Sequence, residues 1–303
     1  MMMMGNWRNP FRLPALAVLL YAGNALPAQA ETSPARMIEV STWDDGGVTH
    51  FCVHNSAAGD VTTTVDLRLL NLKGSTNFPC TVVIPANETI EMFTLDRVKT
   101  NSRSDFSYTY SATLGSSEAT HDDSQVYLLP YVPETSFRVS QGYHGRFSHT
   151  GADEYAIDWE MPEGTPVLAA RGGVVVKSRN DSNQGGPNRK FLNAANCVMI
   201  QHDDGTIGMY GHLQRGGNKV QVGDHVEAGD EIALSGNTGF SQAPHLHFSV
   251  FKTKSGSERL SLSVKFRTAN QDAVFLEAGQ AYEAAPIIVA PPSVPLDPGE
   301  SGH

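Results

Sequence analysis

Pro244-His245-Leu246-His247-Phe248 is the densest chemical feature of the chain. On a strand, residues two apart share a face. His245 and His247 would then address one point, while Leu246, Phe248 and Val250 turn to a core. Two imidazoles on one face, opposed by apolar neighbours, make a metal site as reasonable as a packed polar edge. Tyr210-Gly211-His212-Leu213 adds a third imidazole, which alone at a strand end would mean little. The run from Phe147 to Trp159 adds a His and a carboxylate, ahead of a Gly164-Thr165-Pro166 turn. Together these pieces supply more imidazoles than packing requires, plus one carboxylate.

The same segments carry a resemblance. From about Gly142 to Val250 the chain resembles the lysostaphin/LytM-type zinc metallopeptidases of bacterial cell walls. The matching stretches are His149 and Asp158 before Gly164-Thr165-Pro166-Val167, and Val198-Met199-Ile200-Gln201-His202 followed by Asp204-Gly205-Thr206. Tyr210-Gly211-His212-Leu213, Val222-Gly223-Asp224 with Val226 and Gly229, Ser235-Gly236-Asn237-Thr238-Gly239 and the His-x-His element then follow in the family's order. The resemblance implies one zinc ion held by His149, Asp158 and His247, with catalytic help from His212 and His245. It implies a metalloendopeptidase whose substrates are the peptides of peptidoglycan, either cross-links or stems. Three N/O ligands with an open fourth place describe a catalytic zinc site, where water would reach a pKa of about 7. One flanking imidazole would accept the proton and the other would stabilise the oxyanion or protonate the leaving amine. Which does which stays open. A non-catalytic binding or activator protein of cell-wall hydrolases on the same fold is the alternative. Such relatives typically lose ligands, whereas all five residues are present here.

One departure needs a decision. Family members often show His-x-x-x-Asp, and His149 to Asp153 has that literal spacing. Asp158 instead holds the family's distance from the turn, four residues before Pro162. Asp158 is therefore taken as the ligand, residues 150–157 as a hairpin-like insertion and Asp153 as a turn residue. His144 lies further from the turn than His149. His202 is expected to be structural, and Tyr210 is expected to pack at least as readily as it meets an intermediate.

These residues need a frame, and the frame reads as all-β. Residues 37–125 alternate with period two in short runs, such as Asp105-Phe106-Ser107-Tyr108-Thr109-Tyr110, separated by Gly, Asn, Pro and Asp clusters. This predicts an N-terminal β-sandwich-like domain. A connector follows over 126–142, with Pro130 and Pro133 limiting helix. Residues 143–282 show short β-rich runs between Gly-containing turns and no long amphipathic helix, which predicts a compact antiparallel β-sheet domain. A Pro-rich tail over 284–303 is expected to be disordered.

Arg8 and Arg12, an apolar run from Leu13 to Leu26, and Ala28-Gln29-Ala30 read as a signal peptide over residues 1–30. Periplasmic or secreted placement follows, with no stable membrane anchor after cleavage. The formal charge of -10, without a basic run in the body, argues against nucleic acid. Cys52 and Cys80 both lie in strand-like segments and could pair after export, whereas Cys197 reads as a small core hydrophobe. Oligomeric state is not legible. The loops Asp181–Asn188 and Gly239–Pro244 are expected to set which bond is cut.

Overall fold

The computed structural model describes residues 37–287. The expected signal peptide and residues 288–303 of the expected tail lie outside the described residues. Seven strands form first: β1 (Ile38–Asp45), β2 (Val48–Asn55), β3 (Val61–Leu70), β4 (Leu72–Gly74), β5 (Cys80–Ile84), β6 (Thr89–Arg97) and β7 (Asp105–Leu114). They make two sheets, ordered β1-β2-β6-β4 and β5-β3-β7. Alternation puts Phe51, Val53, Phe93 and Leu95 of one sheet against Val61, Val65, Ile84 and Ala112 of the other in a single apolar cluster. Cys52 and Cys80 fall on different sheets of this sandwich, and both are free thiols.

The remaining strands are β8 (Val126–Leu128), β9 (Ser136–Gln141), β10 (Ile157–Glu160), β11 (Pro166–Leu168), β12 (Gly173–Arg179), β13 (Gly185–Gly186) and β14 (Asn196–Gln201). After them come β15 (Ile207–Leu213), β16 (His225–Val226), β17 (Glu231–Leu234), β18 (Gly239–Phe240) and β19 (His245–Ser255). β20 (Glu258–Leu262), β21 (Lys265–Thr268), β22 (Gln271–Val274) and β23 (Ala281–Glu283) complete the chain. A nine-stranded sheet runs β16-β12-β14-β15-β19-β10-β9-β23, with β20 also on β19. Pairing is antiparallel apart from β13 with β18 and β8 with β21. The fold is all-β, as expected, and no described helix is long and apolar enough to cross a membrane.

Two segments do more than the sequence suggested. Residues 126–142 link the two regions and also supply β8 and β9, which pair with β21 and β10. Prolines 130 and 133 punctuate the run without preventing extended structure on either side. Ala284, placed at the start of the tail, is buried, and its backbone N–H donates to Thr135. The segment 150–157 contains a short 3-10 turn at Gly151–Asp153 rather than a hairpin.

The large sheet has two differently used faces. Leu246, Phe248 and Val250 of β19 join Tyr210, Ile200, Trp159 and Phe266 in the main core. The opposite face carries His245, His247, Ser249, Phe251 and Thr253 in turn, as a period of two requires. Phe251 packs there with Ile207, Cys197, Met199 and Val176 in a second cluster, and Leu114 of the sandwich packs against it. Polar contacts tie the same junction. Gln201 donates to the Asp60 carboxylate and accepts from the Asp60 backbone N–H, at 2.9 and 2.8 Å. The Thr253 hydroxyl donates to the Leu114 carbonyl at 2.6 Å.

Candidate metal centre

The site is built on one register row. Gln141, Asp158, His247 and Gly211 stand opposite one another across β9, β10, β19 and β15. The next row outward pairs Glu160 with His245. Asp158 and His247 therefore share a face because they are cross-strand partners, and Trp159 and Leu246 go together to the core.

His212 does not follow that alternation. Gly211 already faces His247, so an even strand would send His212 to the core side. The β14–β15 register slips between Asn196 and Cys197, with Leu213 opposite Asn196 and Gly211 opposite Cys197. His212 is the extra residue of this bulge and sits at φ 60°, a region that side-chain-bearing residues rarely adopt. The bulge turns its ring back toward His245 and His247, with centroids 4.5 and 5.7 Å away. Gly236 completes the arrangement. A Cβ there would lie 2.4 Å from the Gln214 nitrogen, so only glycine lets this loop close on the end of β15 and bridge to His245.

Three imidazoles have their tautomer set by backbone carbonyls, which only accept hydrogen bonds. His149 Nδ1 donates to Gly142 O at 2.9 Å, His212 Nδ1 to Thr238 O at 2.7 Å, and His245 Nδ1 to Ala243 O at 2.8 Å. Each Nε2 is left with a bare lone pair. His149 Nε2 is buried without a hydrogen-bond partner and faces an Asp158 oxygen at 3.1 Å. His247 Nδ1 lies 2.8 Å from the other oxygen of Asp158, and His245 Nε2 lies 3.9 Å from that same oxygen. A lone pair and a carboxylate oxygen facing each other in a dry site repel unless a positive charge lies between them. Ligand atoms of His149, Asp158 and His247 all fall within 4.8 Å of one another, and all three residues are buried. Two nitrogens and one carboxylate oxygen suit a borderline cation such as zinc. The donor set and the orphaned Nε2 therefore fit a metal.

The surrounding charge is arranged to match. Burial opposes ionisation of Asp158, but the neighbouring imidazoles of His149 and His247 outweigh it and hold its pKa well below the ordinary value. Burial likewise opposes charge on His247, and Asp158 overrides it, raising the His247 pKa. Burial, then repulsion from His245 and His247, pushes His212 down to about 3. His245 is also lowered, chiefly by burial. The two flanking imidazoles are thus neutral bases, while the cluster beside them prefers positive charge.

The other candidates lie elsewhere. Asp153 closes the 3-10 turn and pairs with Arg259 at 2.7 Å. His144 is exposed and bonds Glu154 at 3.1 Å. His202 is buried, donates to Gly172 O at 2.8 Å and is pushed to about 4 by desolvation. Tyr210 is wholly buried, and its hydroxyl accepts from the Ala170 N–H at 2.7 Å, so it packs away from the cluster. Cys197 is buried and its thiol is raised by burial, as a core residue should be. The loops Asp181–Asn188 and Gly239–Pro244 meet each other, since β13 pairs with β18, and Phe240 stacks on exposed Phe147 at 5.7 Å. Gln141 was missed by sequence reasoning; its only signal was a polar residue ending an alternating strand just before a Gly.

The all-β region thus gathers two His and one Asp in a buried cluster, flanked by two neutral His. Residues 152–259 match Peptidase family M23. The chain is 32% identical over 177 residues to lysostaphin of Staphylococcus staphylolyticus, covering 58% of this chain and 32% of that protein. It is 35% identical over 124 residues to peptidoglycan DD-endopeptidase ShyA of Vibrio cholerae, covering 40% of this chain and 26% of that protein. Lysostaphin from Staphylococcus simulans, as a solved structure, covers 41% of this chain and 47% of its own at 34% identity, with a TM-score of 0.32. The chain thus spans about a quarter to a third of the length of these curated relatives. It carries a peptidase M23 domain, and that family implies a bound metal. His149 lies just ahead of the matched span.

Proposed function

We propose that this protein is an exported zinc-dependent endopeptidase that hydrolyses peptide bonds in bacterial peptidoglycan. The observation that supports it most is the coincidence of the His149–Asp158–His247 cluster with two neutral imidazoles at its edge. His149, Asp158 and His247 would hold one zinc ion, which when bound supplies an acidified water and a polarised carbonyl.

The rest is done by side chains of the chain itself. His212 and His245 both present a bare Nε2, because each Nδ1–H is already given to a carbonyl. Either can take a proton from the attacking water, and their lowered pKa values keep them free to do so at neutral pH. Rings 4.5 Å apart in a buried site disfavour two positive charges, so one proton is held at a time. The imidazole that gains it becomes the donor to the leaving amine. Phe147 and Phe240 stack beside the site from the loops that lead to His149 and His245, where a peptide substrate would meet them. The N-terminal sandwich, residues 37–125, and the peptidase region, residues 143–282, are proposed as separate domains docked through β14 and β19.

Release of soluble fragments from purified peptidoglycan, followed by mass analysis, tests this reading. Wild-type protein should release peptides cut at an amide bond, lose the activity with a chelator and regain it with zinc. Binding of the wall without cleavage, with zinc present, would favour the non-catalytic alternative.

A further inference from the structure

Gln141 makes four side-chain hydrogen bonds beside the cluster. It ends β9 directly opposite Asp158. Its amide nitrogen donates to Asp158 Oδ2 at 3.0 Å and to the Ser148 hydroxyl at 2.8 Å. Its amide oxygen accepts from the backbone N–H groups of Phe147 and Ser148, at 3.1 and 3.3 Å. Backbone N–H groups only donate and a carboxylate only accepts, so the amide has one workable orientation and all its near partners are met. The oxygen it holds on Asp158 is the one that faces His149 Nε2 at 3.1 Å.

The loop from Gly142 to His149 is folded around this side chain. A Cβ at Gly145 would lie 2.3 Å from Gln141 Cγ, so glycine is what lets the loop press on the amide. Gly145 in turn accepts from the His149 backbone N–H at 3.0 Å, and Gly142 accepts from the His149 ring. One side chain therefore fixes the carboxylate from below and the loop carrying the first imidazole from the side.

We propose that Gln141 is a positioning residue for the metal centre. It sets the rotamer of Asp158 and the place of His149 at the same time, and it couples both to Phe147 at the rim. This inference rests on the zinc-site reading above. Only an amide long enough to span the carboxylate and the two backbone N–H groups does this. Methionine keeps the length and volume but supplies no donor. Asparagine is one methylene short and can serve one side only.

The test measures zinc affinity by competition with a chromophoric chelator, together with hydrogen exchange at the Phe147 and Ser148 amides. Gln141→Met should bind zinc 10- to 100-fold more weakly, the range usual for partners that orient metal ligands. The two amides should exchange faster while the β15 and β19 amides stay protected. Gln141→Asn should fall between wild type and Gln141→Met on zinc affinity, and it serves if the methionine variant does not fold. Wild-type zinc affinity in a folded Gln141→Met or Gln141→Asn protein overturns the positioning role and leaves the zinc site standing. Failure of the wild-type chain to take up zinc overturns both.

Discussion

At one end of the face shared by β15 and β19, Gly211 and His247 stand opposite each other, with His245 and His212 beside them. At the other end of the same face, Ile207 and Phe251 stand opposite each other and pack under the N-terminal sandwich. The backbone is continuous and the pairing is the same. What differs is the side chains that alternation delivers and what covers them. The apolar end is buried by the N-terminal sandwich and contributes stability. The imidazole end is left with lone pairs turned toward a carboxylate, an arrangement that is unfavourable until a cation joins it. A strand can hold both because its period of two fixes which side chains share a face but not what lies above them.

The sharpest way to break the comparison is at the imidazole end. His212→Ala should lower kcat by about 10²- to 10⁴-fold, the usual contribution of a positioned acid–base group. Zinc content and melting temperature should stay close to wild type. Equal loss of zinc would mean that His212 is a ligand.

Phe251→Ala probes the other end. Truncating a buried Phe removes about 3–5 kcal/mol of stability, read as a lower denaturant midpoint. Activity per folded molecule should be retained, since Phe251 lies two rows away from His247 on β19. Tyr210→Phe asks whether a residue two positions from His212 belongs to the site. It deletes the hydroxyl that accepts from Ala170 N–H and should cost about 1–3 kcal/mol through the unpaired buried N–H. Its kcat should not change.

The most gradual effect is a pH dependence of stability. His202 is held neutral, with a folded pKa of about 4 against an ordinary value of 6.5. Between those values the unfolded chain binds more protons than the folded one, so stability is full above pH 6.5 and falls as pH drops toward 4. His202→Gln should flatten that slope in urea titrations at several pH values. An unchanged slope would place the dependence elsewhere.

The sequence carried different parts of this site to different depths. His245 and His247 were legible from periodicity alone, because nothing interrupts β19 at that point. Asp158 was legible only through the resemblance, which places the family's Asp at this distance from the Gly164-Thr165-Pro166 turn and so sets aside Asp153. His212 was legible only through resemblance. Its ring reaches the site through a bulge, and a slip in pairing with β14 leaves no trace in the residues of β15 themselves. Gln141 was not legible, since its role depends on a loop folding back across its amide. The all-β character and the sandwich followed from short alternating runs. Docking of Phe251 under the sandwich did not, because a hydrophobic position names a buried face without naming its cover.

Zinc content after exhaustive dialysis, measured by atomic emission on wild type and His247→Ala side by side, is the most direct test of the centre. Wild type should retain one zinc per chain and His247→Ala essentially none, with both proteins folded by circular dichroism. One zinc per chain in folded His247→Ala, or none in wild type, would contradict the convergence of His149, Asp158 and His247 on a single ion.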